Sequence, residues 1–382
     1  MTEYLKIVDF GPISEIELSD IRPLTVLIGQ SGSGKSTIMK VLSLFRWMYK
    51  RVNLRSFIKH SKIKNTKIGF KTKPLLRASG LLEYLTPTSQ IVYRNGPYEI
   101  VMKNGAASAK FVVAREHLSL EKVVFISDKR SIIPDLLGSS IDRHKDNYYL
   151  QDTLENFRTA YKFISELDLN FLGVKFSVLK QKNGINDFRI SGQGINGDYS
   201  IKLSNSSSGI QTATSVGLIV DYYATKYNLE DSLNRALFSY FADNDNLKNF
   251  RAGMNVGEFP NRRVNIFIEE PELSLYPDNQ IEMIDFLVSH CFSSKHQYDM
   301  TLMLATHSPY IVNYLNLLIA RYVGNADDEI SINPDMVSVY LIEEGTLINL
   351  KVRGNNGMPL IDATRLSDPI SNIYDQYDNL SQ

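Results

Sequence analysis

Gly29-Gln30-Ser31-Gly32-Ser33-Gly34-Lys35-Ser36-Thr37 follows the apolar run Leu24-Thr25-Val26-Leu27-Ile28 and precedes Ile38, Met39, Val41, Leu42 and Leu44 at helical spacing. A buried strand, a glycine loop and a helix in that order form a phosphate-binding loop. The glycines let the loop curl so that backbone N–H groups point inward at phosphate oxygens, and the helix adds its positive N-terminal end. In this reading Lys35 reaches the β- and γ-phosphates and the Ser36 hydroxyl ligates magnesium.

Working outward, residues 4–9 and 13–18 read as two further strands, split from each other and from the third by Gly11-Pro12 and Arg22-Pro23. Downstream, residues 50–120 look like an insertion. Strand-like pieces at 91–93, 98–102 and 109–113 are separated there by Asn95-Gly96-Pro97 and Asn104-Gly105, both hairpin turns. Residues 122–127 read as a core strand, 150–168 and 212–227 as helices, and 176–179 and 188–190 as strands around Asn183-Gly184. Further strands are expected at 264–268 and 301–305, with helices at 280–289 and from Ser308-Pro309. A closing hairpin is expected around Glu344-Gly345, and a polar segment from residue 353.

Two carboxylates close the strand Ile266-Phe267-Ile268-Glu269-Glu270-Pro271-Glu272. At the carboxyl end of a strand in a doubly wound sheet they lie where a nucleotide crevice forms. Glu269 then contacts the magnesium shell, and Glu270 orients and activates the attacking water. The strand Leu302-Met303-Leu304-Ala305-Thr306-His307-Ser308 delivers a histidine suited to sensing a γ-phosphate. Ser206-Ser207-Ser208-Gly209-Ile210-Gln211 opens an apolar helix and offers a second anion-binding surface.

P-loop, Ser-Gly-x-Gln loop, Glu-Glu-Pro-Glu strand and Thr-His-Ser strand, in that order, resemble the ABC ATPase superfamily. The likeness is to its structural-maintenance, RecF-like and OLD-like branch. Ile7-Val8-Asp9-Phe10-Gly11-Pro12-Ile13, Pro23-Leu24-Thr25-Val26-Leu27-Ile28-Gly29 and Phe125-Ile126-Ser127-Asp128-Lys129-Arg130-Ser131 are similar to segments of AAA-type ATPases in bacterial anti-phage systems. Those include the ATPase subunits of the Septu, PARIS and retron systems. The resemblance implies an α/β, ABC-type P-loop NTPase head with a mixed β-sheet core, an N-terminal antiparallel β subdomain and inserted helical or basic lobes. It implies ATP and Mg2+ as ligands, with Gly29, Gln30, Ser31, Gly32, Ser33, Gly34, Lys35, Ser36 and Thr37 around the phosphates and Glu269 beside Ser36 on the metal. Lys35, Glu270 and His307 would carry catalysis. Ser207, Ser208, Gly209 and Gln211 would form the signature loop that presses on the nucleotide of a partner copy, and Glu272 with residues 273–277 would lie near that interface.

Expected domains are 1–49 for the P-loop part of the core, 50–120 for the basic lobe and hairpins, and 121–200 for a core strand with a helical subdomain. Residues 201–352 would hold the signature and Glu-Glu motifs, and 353–382 the polar segment. The chain departs from the superfamily in Glu269, where an Asp is usual, and in Ile210, where transporters often carry a second glycine. Gln90 is the one weak candidate for the lid-loop glutamine.

Lys and Arg total 42, as do Asp and Glu, yet residues 21–82 hold fourteen basic side chains and no acidic one. This 50–77 segment, carrying Phe57 and Phe70, suits a phosphate backbone of DNA or RNA, an acidic partner, or simply solvent. A lone cysteine, Cys291, leaves no intramolecular disulfide. There is no apolar run of about 18 residues and no secretion signal, so a cytoplasmic protein off the membrane is expected. The thirty residues after Val352 are too few for the Toprim nuclease domain of OLD enzymes. Two functions follow. One is an ATPase sensor or scaffold that forms a head-to-tail homodimer, or a larger assembly, and controls a separately encoded nuclease or toxin. The other is a RecF- or SMC-like DNA maintenance ATPase.

Overall fold

The computed structural model describes residues 2–60, 70–137, 148–180, 186–195, 197–234, 259–293, 296–326, 329–354 and 357–380. Glu3–Phe10 (β1) and Ile13–Leu18 (β2) pair as a hairpin that turns Leu5, Ile7, Ile16 and Leu18 inward. Leu24–Gly29 (β3) is buried up to its last residue and hands the chain to the long helix Lys35–His60 (α1). After Thr72–Ala78 (α2) come Leu85–Asn95 (β4), Tyr98–Lys103 (β5) and Ala106–Ser108 (β6). Because β4 lies antiparallel to β1, these strands make a five-stranded sheet in the order β2-β1-β4-β5-β6.

Ser119–Ile126 (β7), Ile133–Leu137 (α3) and Tyr148–Ala160 (α4) lead to a second antiparallel sheet. It is built from Glu166–Leu169 (β8), Val174–Lys180 (β9), Asn186–Gly194 (β10) and Gly197–Lys202 (β11). Next come Ser208–Thr225 (α5), Asn261–Glu269 (β12), Pro277–Cys291 (α6), Asp299–Thr306 (β13) and Pro309–Val323 (α7). Val337–Glu343 (β14), Thr346–Asn349 (β15), Lys351–Arg353 (β16), Pro359–Ile361 (β17) and Thr364–Leu380 (α8) complete the described chain.

The core sheet runs β15-β14-β3-β13-β12-β7. β14, β3, β13, β12 and β7 are parallel, and β15 is an antiparallel edge on β14. Five strands therefore end on one edge of the sheet, where the crevice of such folds lies. That edge collects the P-loop from β3, His307 from β13, Glu269 and Glu270 from β12, Ser127 from β7 and Glu343 from β14. The mixed core and the N-terminal antiparallel sheet agree with the sequence reading.

Three local expectations are corrected. α1 crosses residues 49 and 50 unbroken, because Tyr49, Val52, Phe57 and Ile58 stay buried, and β4 belongs to the sheet of β1, so residues 50–120 are no separate insertion. Residues 109–113 form no strand. Arg55 Nη2 donates to the carbonyls of Ala109 (2.6 Å) and Phe111 (3.0 Å), and Ser56 Oγ accepts the Val113 N–H (2.9 Å), so side chains of α1 satisfy that backbone instead. The helix expected over 150–168 stops at Ala160, since residues 166–169 pair with β9 and bury Leu167 and Leu169. The polar C-terminal segment contains α8. The turn at Asn183-Gly184 lies outside the described residues.

Much of the basic run is used within the fold. Phe57 is buried and stacks on Phe259 at 4.6 Å, Phe70 packs partly buried against the core, and Arg51 lies over Trp47. Burial, with Lys122 as a neighbouring like charge, pushes Lys50 down to about 8. Lys59, Lys71, Lys73 and Arg77 are exposed; Lys62, Lys64 and Lys67 lie outside the described residues.

Candidate functional site

The P-loop closes around its own lysine. Lys35 Nζ donates to the carbonyls of Gly29 and Gln30, each at 2.8 Å, and stands 3.5 Å from His307 Nδ1. Burial pushes this ammonium down to about 8, against the pull of Glu270 and Glu272. Gly29 has φ +156°, and a Cβ there would lie 2.4 Å from the Ile342 carbonyl oxygen. Only glycine lets β3 enter the loop this close to β14. The first turn of α1 has no acidic side chain, leaving its positive end free for an anion. Ser33 Oγ is buried with no hydrogen-bond partner, a hydroxyl that a phosphate oxygen would satisfy. Thr37 is buried in the same turn.

Ser36 and Glu269, the two residues expected on the metal, lie beside it. The Ser36 hydroxyl hydrogen-bonds the Glu269 carboxylate. Lys40 lies 3.5 Å from Glu269 Oε1, and Ser127 Oγ and the Asp128 N–H lie 3.5 Å from Oε2. Burial raises Glu269 above the usual carboxylate range, with Lys40 and Ser36 acting against it. Among the described residues, no group of three or more His, Cys, Asp or Glu could hold a metal alone. One hydroxyl and one carboxylate suit magnesium, which keeps waters and takes phosphate oxygens for the rest of its shell.

Glu270 is held in a strained backbone conformation. Its φ is +46°, in a region that costs a non-glycine residue about 1–2 kcal/mol. Its N–H donates to the Ala305 carbonyl at 2.8 Å, and its own carbonyl accepts from Arg130 Nη2. Arg130 is fully buried, with Nη1 also donating to the carbonyls of Glu269 (2.7 Å) and Ser127 (3.2 Å). Burial lowers Arg130 to about 10, so it stays cationic at neutral pH. The side chain of Glu270 reaches His307, with Oε1 3.6 Å from Nε2. Lys35, His307 and Glu270 thus stand in a row. Glu272 fixes the middle member, since its Oε1 accepts the Thr306 hydroxyl (2.8 Å) and the His307 N–H (2.6 Å).

The signature residues go elsewhere. Ser207 caps α5, accepting the Ile210 N–H, and Ser207 and Ser208 are exposed. Gln211 Nε2 donates to the carbonyls of Ser204 (3.1 Å) and Ser206 (2.9 Å), holding the loop. A Cβ on Gly209 would come within 2.6 Å of the Ser274 carbonyl oxygen, and Thr212 Oγ1 donates to the Leu273 carbonyl at 2.8 Å. The loop is therefore docked on the segment after Glu272. It does not line the cavity over the P-loop, which encloses about 720 Å3 between residues 29–33, Pro12, His307, the 343–345 hairpin, Arg365 and Leu366. Gln90 sits on β4 opposite Val8 and Lys103, outside that lining. Arg130, Lys40 and Ser127 were not among the sequence candidates, although Ser127 to Arg130 lay in a segment noted for its resemblance.

The profile of a family described as AAA ATPase domain matches residues 116–312, just over half of the chain. The chain belongs to that family. The matched span contains the signature loop, Glu269, Glu270 and His307, and starts downstream of the P-loop. The ATPase domain also matches the SMC head domain from Thermotoga maritima at 14% identity and TM-score 0.36, over 92% of this chain and 100% of that one. It matches cbiO1 from Clostridium perfringens, part of the ABC transporter complex cbiONQ, at 11% identity and TM-score 0.32, over 91% and 88%. No curated protein matches the chain. Among the described residues, no helix is long and apolar enough to cross a membrane.

Proposed function

We propose that the chain binds and hydrolyses ATP as an ABC-type ATPase whose complete site forms between two copies arranged head to tail. The observation that carries this is the row Lys35–His307–Glu270 at the mouth of the P-loop. Backbone N–H groups of residues 29–37 and the Lys35 ammonium hold the phosphates. Magnesium, held by Ser36 and Glu269, would neutralise charge on the β- and γ-phosphates. Glu270 accepts a proton from the attacking water and aligns it, while His307, backed by Glu272, bonds the γ-phosphate. Since Ser207 and Ser208 are exposed and stand apart from the chain's own cavity, they are free to meet the nucleotide of a second copy.

The resemblance of the N-terminal segment and motif order supports the biological reading. The closed homodimer, or a larger assembly, would hold or release a separately encoded effector in anti-phage defence. Coupling of this kind requires the effector to prefer one nucleotide state. A DNA-maintenance role draws on the exposed Lys59, Lys71, Lys73 and Arg77, but Phe57, the buried aromatic of that run, offers no stacking surface.

Mass and ATPase rate, measured together with and without ATP, test the mechanism. Wild type should turn over and associate in ATP, Glu270→Gln should associate without turnover, and Ser208→Arg should do neither. Turnover that survives Glu270→Gln, or hydrolysis by a strict monomer indifferent to Ser208, would sink the composite site.

A further inference from the structure

A P-loop accounts for phosphates and leaves the nucleoside without a seat. The cavity does not end at the loop. Its volume of about 720 Å3 falls within the range of roughly 300–1,000 Å3 that encloses a whole drug-sized ligand. Beyond the loop its walls come from three separate places in the chain: Pro12 in the β1–β2 turn, which lies beside Gly34, the hairpin residues 343–345, and Arg365 with Leu366 in the first turn of α8. Pro12 and Leu366 are apolar, and Leu366 is packed partly buried against the core. Arg365 Nη1 lies 3.3 Å from Glu343 Oε2, both side chains more than half exposed.

The first turn of α8 is anchored. Asp362 Oδ1 accepts both the Thr364 N–H (3.0 Å) and its hydroxyl (2.6 Å). Asn316 of α7 clasps residue 361, donating Nδ2 to its carbonyl (2.9 Å) and accepting its N–H at Oδ1 (2.7 Å). α7 is the helix that begins two residues after His307. One helix thus starts just after His307 and holds residue 361 ahead of α8.

We infer that the nucleoside half of a bound purine nucleotide is held by the first turn of α8. The base packs between Leu366 and the Pro12 turn, the Arg365 guanidinium lies against its π-face or edge, and the carboxylates of Glu343 and Glu344 accept from ribose hydroxyls. This rests on the nucleotide reading of the P-loop and extends it. The C-terminal helix is part of the binding site.

Calorimetric titration with magnesium ATP and with magnesium tripolyphosphate separates the two ends. Wild type should bind ATP about tenfold more tightly than tripolyphosphate. Arg365→Ala and Leu366→Ser should each erase most of that difference by weakening ATP, with tripolyphosphate unchanged. Amide exchange at residues 362–366 should slow with ATP and not with tripolyphosphate. Lys35→Ala should weaken both ligands. If Arg365→Ala and Leu366→Ser leave ATP affinity intact while Lys35→Ala destroys it, the α8 wall is refuted and the P-loop reading stands. If wild type binds neither ligand, the nucleotide reading falls and takes this one with it. Should Leu366→Ser lose its cooperative unfolding transition, Arg365→Ala and the exchange pattern in wild type decide the matter.

Discussion

Arg130→Lys is the substitution that best tests how the ATPase domain aims Glu270, the carboxylate proposed to be catalytic. Glu270 is held at φ +46° by three bonds: its N–H donates to the Ala305 carbonyl, and its own carbonyl accepts from Arg130 and from the Leu273 N–H. The guanidinium reaches three carbonyls, those of Ser127, Glu269 and Glu270, from one planar fork. A lysine keeps the charge but cannot span the two consecutive carbonyls of Glu269 and Glu270 together. Losing one or two bonds to a charged donor costs about 1.5–3 kcal/mol each. One lost bond matches the 1–2 kcal/mol or so stored in the left-handed backbone and two exceed it, so the peptide is able to relax. A carboxylate misplaced by about 1 Å lowers kcat roughly 100-fold, or about 2.7 kcal/mol of barrier.

Arg130 is buried behind these carbonyls and absent from the lining of the P-loop cavity, so ATP affinity should stay within about twofold. The split between rate and affinity is the signature of a positioning residue. Single-turnover hydrolysis and equilibrium binding of ATP, run on the same preparation of Arg130→Lys, read both. Unchanged hydrolysis would refute the reasoning, and so would a loss of affinity as large as the loss of rate, which would place Arg130 on the phosphates. Arg130→Met should unfold about 2–4 kcal/mol more easily in denaturant, because it leaves buried carbonyls unpaired.

Other perturbations follow from the same geometry. Gly29→Ala places a methyl 2.4 Å from the Ile342 carbonyl oxygen and should abolish ATP-induced thermal stabilisation while the rest of the core still unfolds cooperatively. Gly209→Ala pushes α5 off the Ser274 carbonyl; ATP-dependent association should be lost with nucleotide affinity retained, as sedimentation and binding would report. Lys35 is pushed down to about 8 by burial, and phosphate prefers the ammonium. ATP affinity should therefore fall as pH rises above 8, with proton uptake visible in calorimetry in buffers of different ionisation heat. Burial pulls Glu3 upward, but Arg46, bonded to it at 2.6 and 2.8 Å, more than offsets this and leaves its pKa lowered. Its contribution is present above the unfolded value near 4.5 and is lost as pH falls through the folded one. Glu3→Gln should cost about 3–5 kcal/mol at pH 7 by leaving Arg46 buried and unpaired; a loss under 1 kcal/mol in denaturant melts would contradict this.

The residues that could be read from sequence are those whose chemistry is local. A glycine loop between strand and helix, or two carboxylates closing an apolar run, carries its meaning within a few positions, and the P-loop, Glu269, Glu270 and His307 all gather at one sheet edge. What escaped notice is held by contacts distant in the chain. Arg130 lies 139 and 140 positions from the carbonyls it grips, and its polar identity inside β7's continuation looks like ordinary surface. Residues 109–113 have a strand's composition, yet Arg55 and Ser56 claim their backbone. The same blindness hid α8. Arg365 and Leu366 sit in a stretch that reads as polar tail, and only the fold brings them within one cavity of Gly29. The strain at Glu270 connects these observations. A positive φ at a glutamate is tolerated because Ala305 and Arg130 fix the peptide before it while Arg130 and Leu273 fix the carbonyl after it. The Glu269–Glu270 peptide, gripped at its carbonyl by Arg130 and at its N–H by Ala305, therefore sets where the Glu270 carboxylate points.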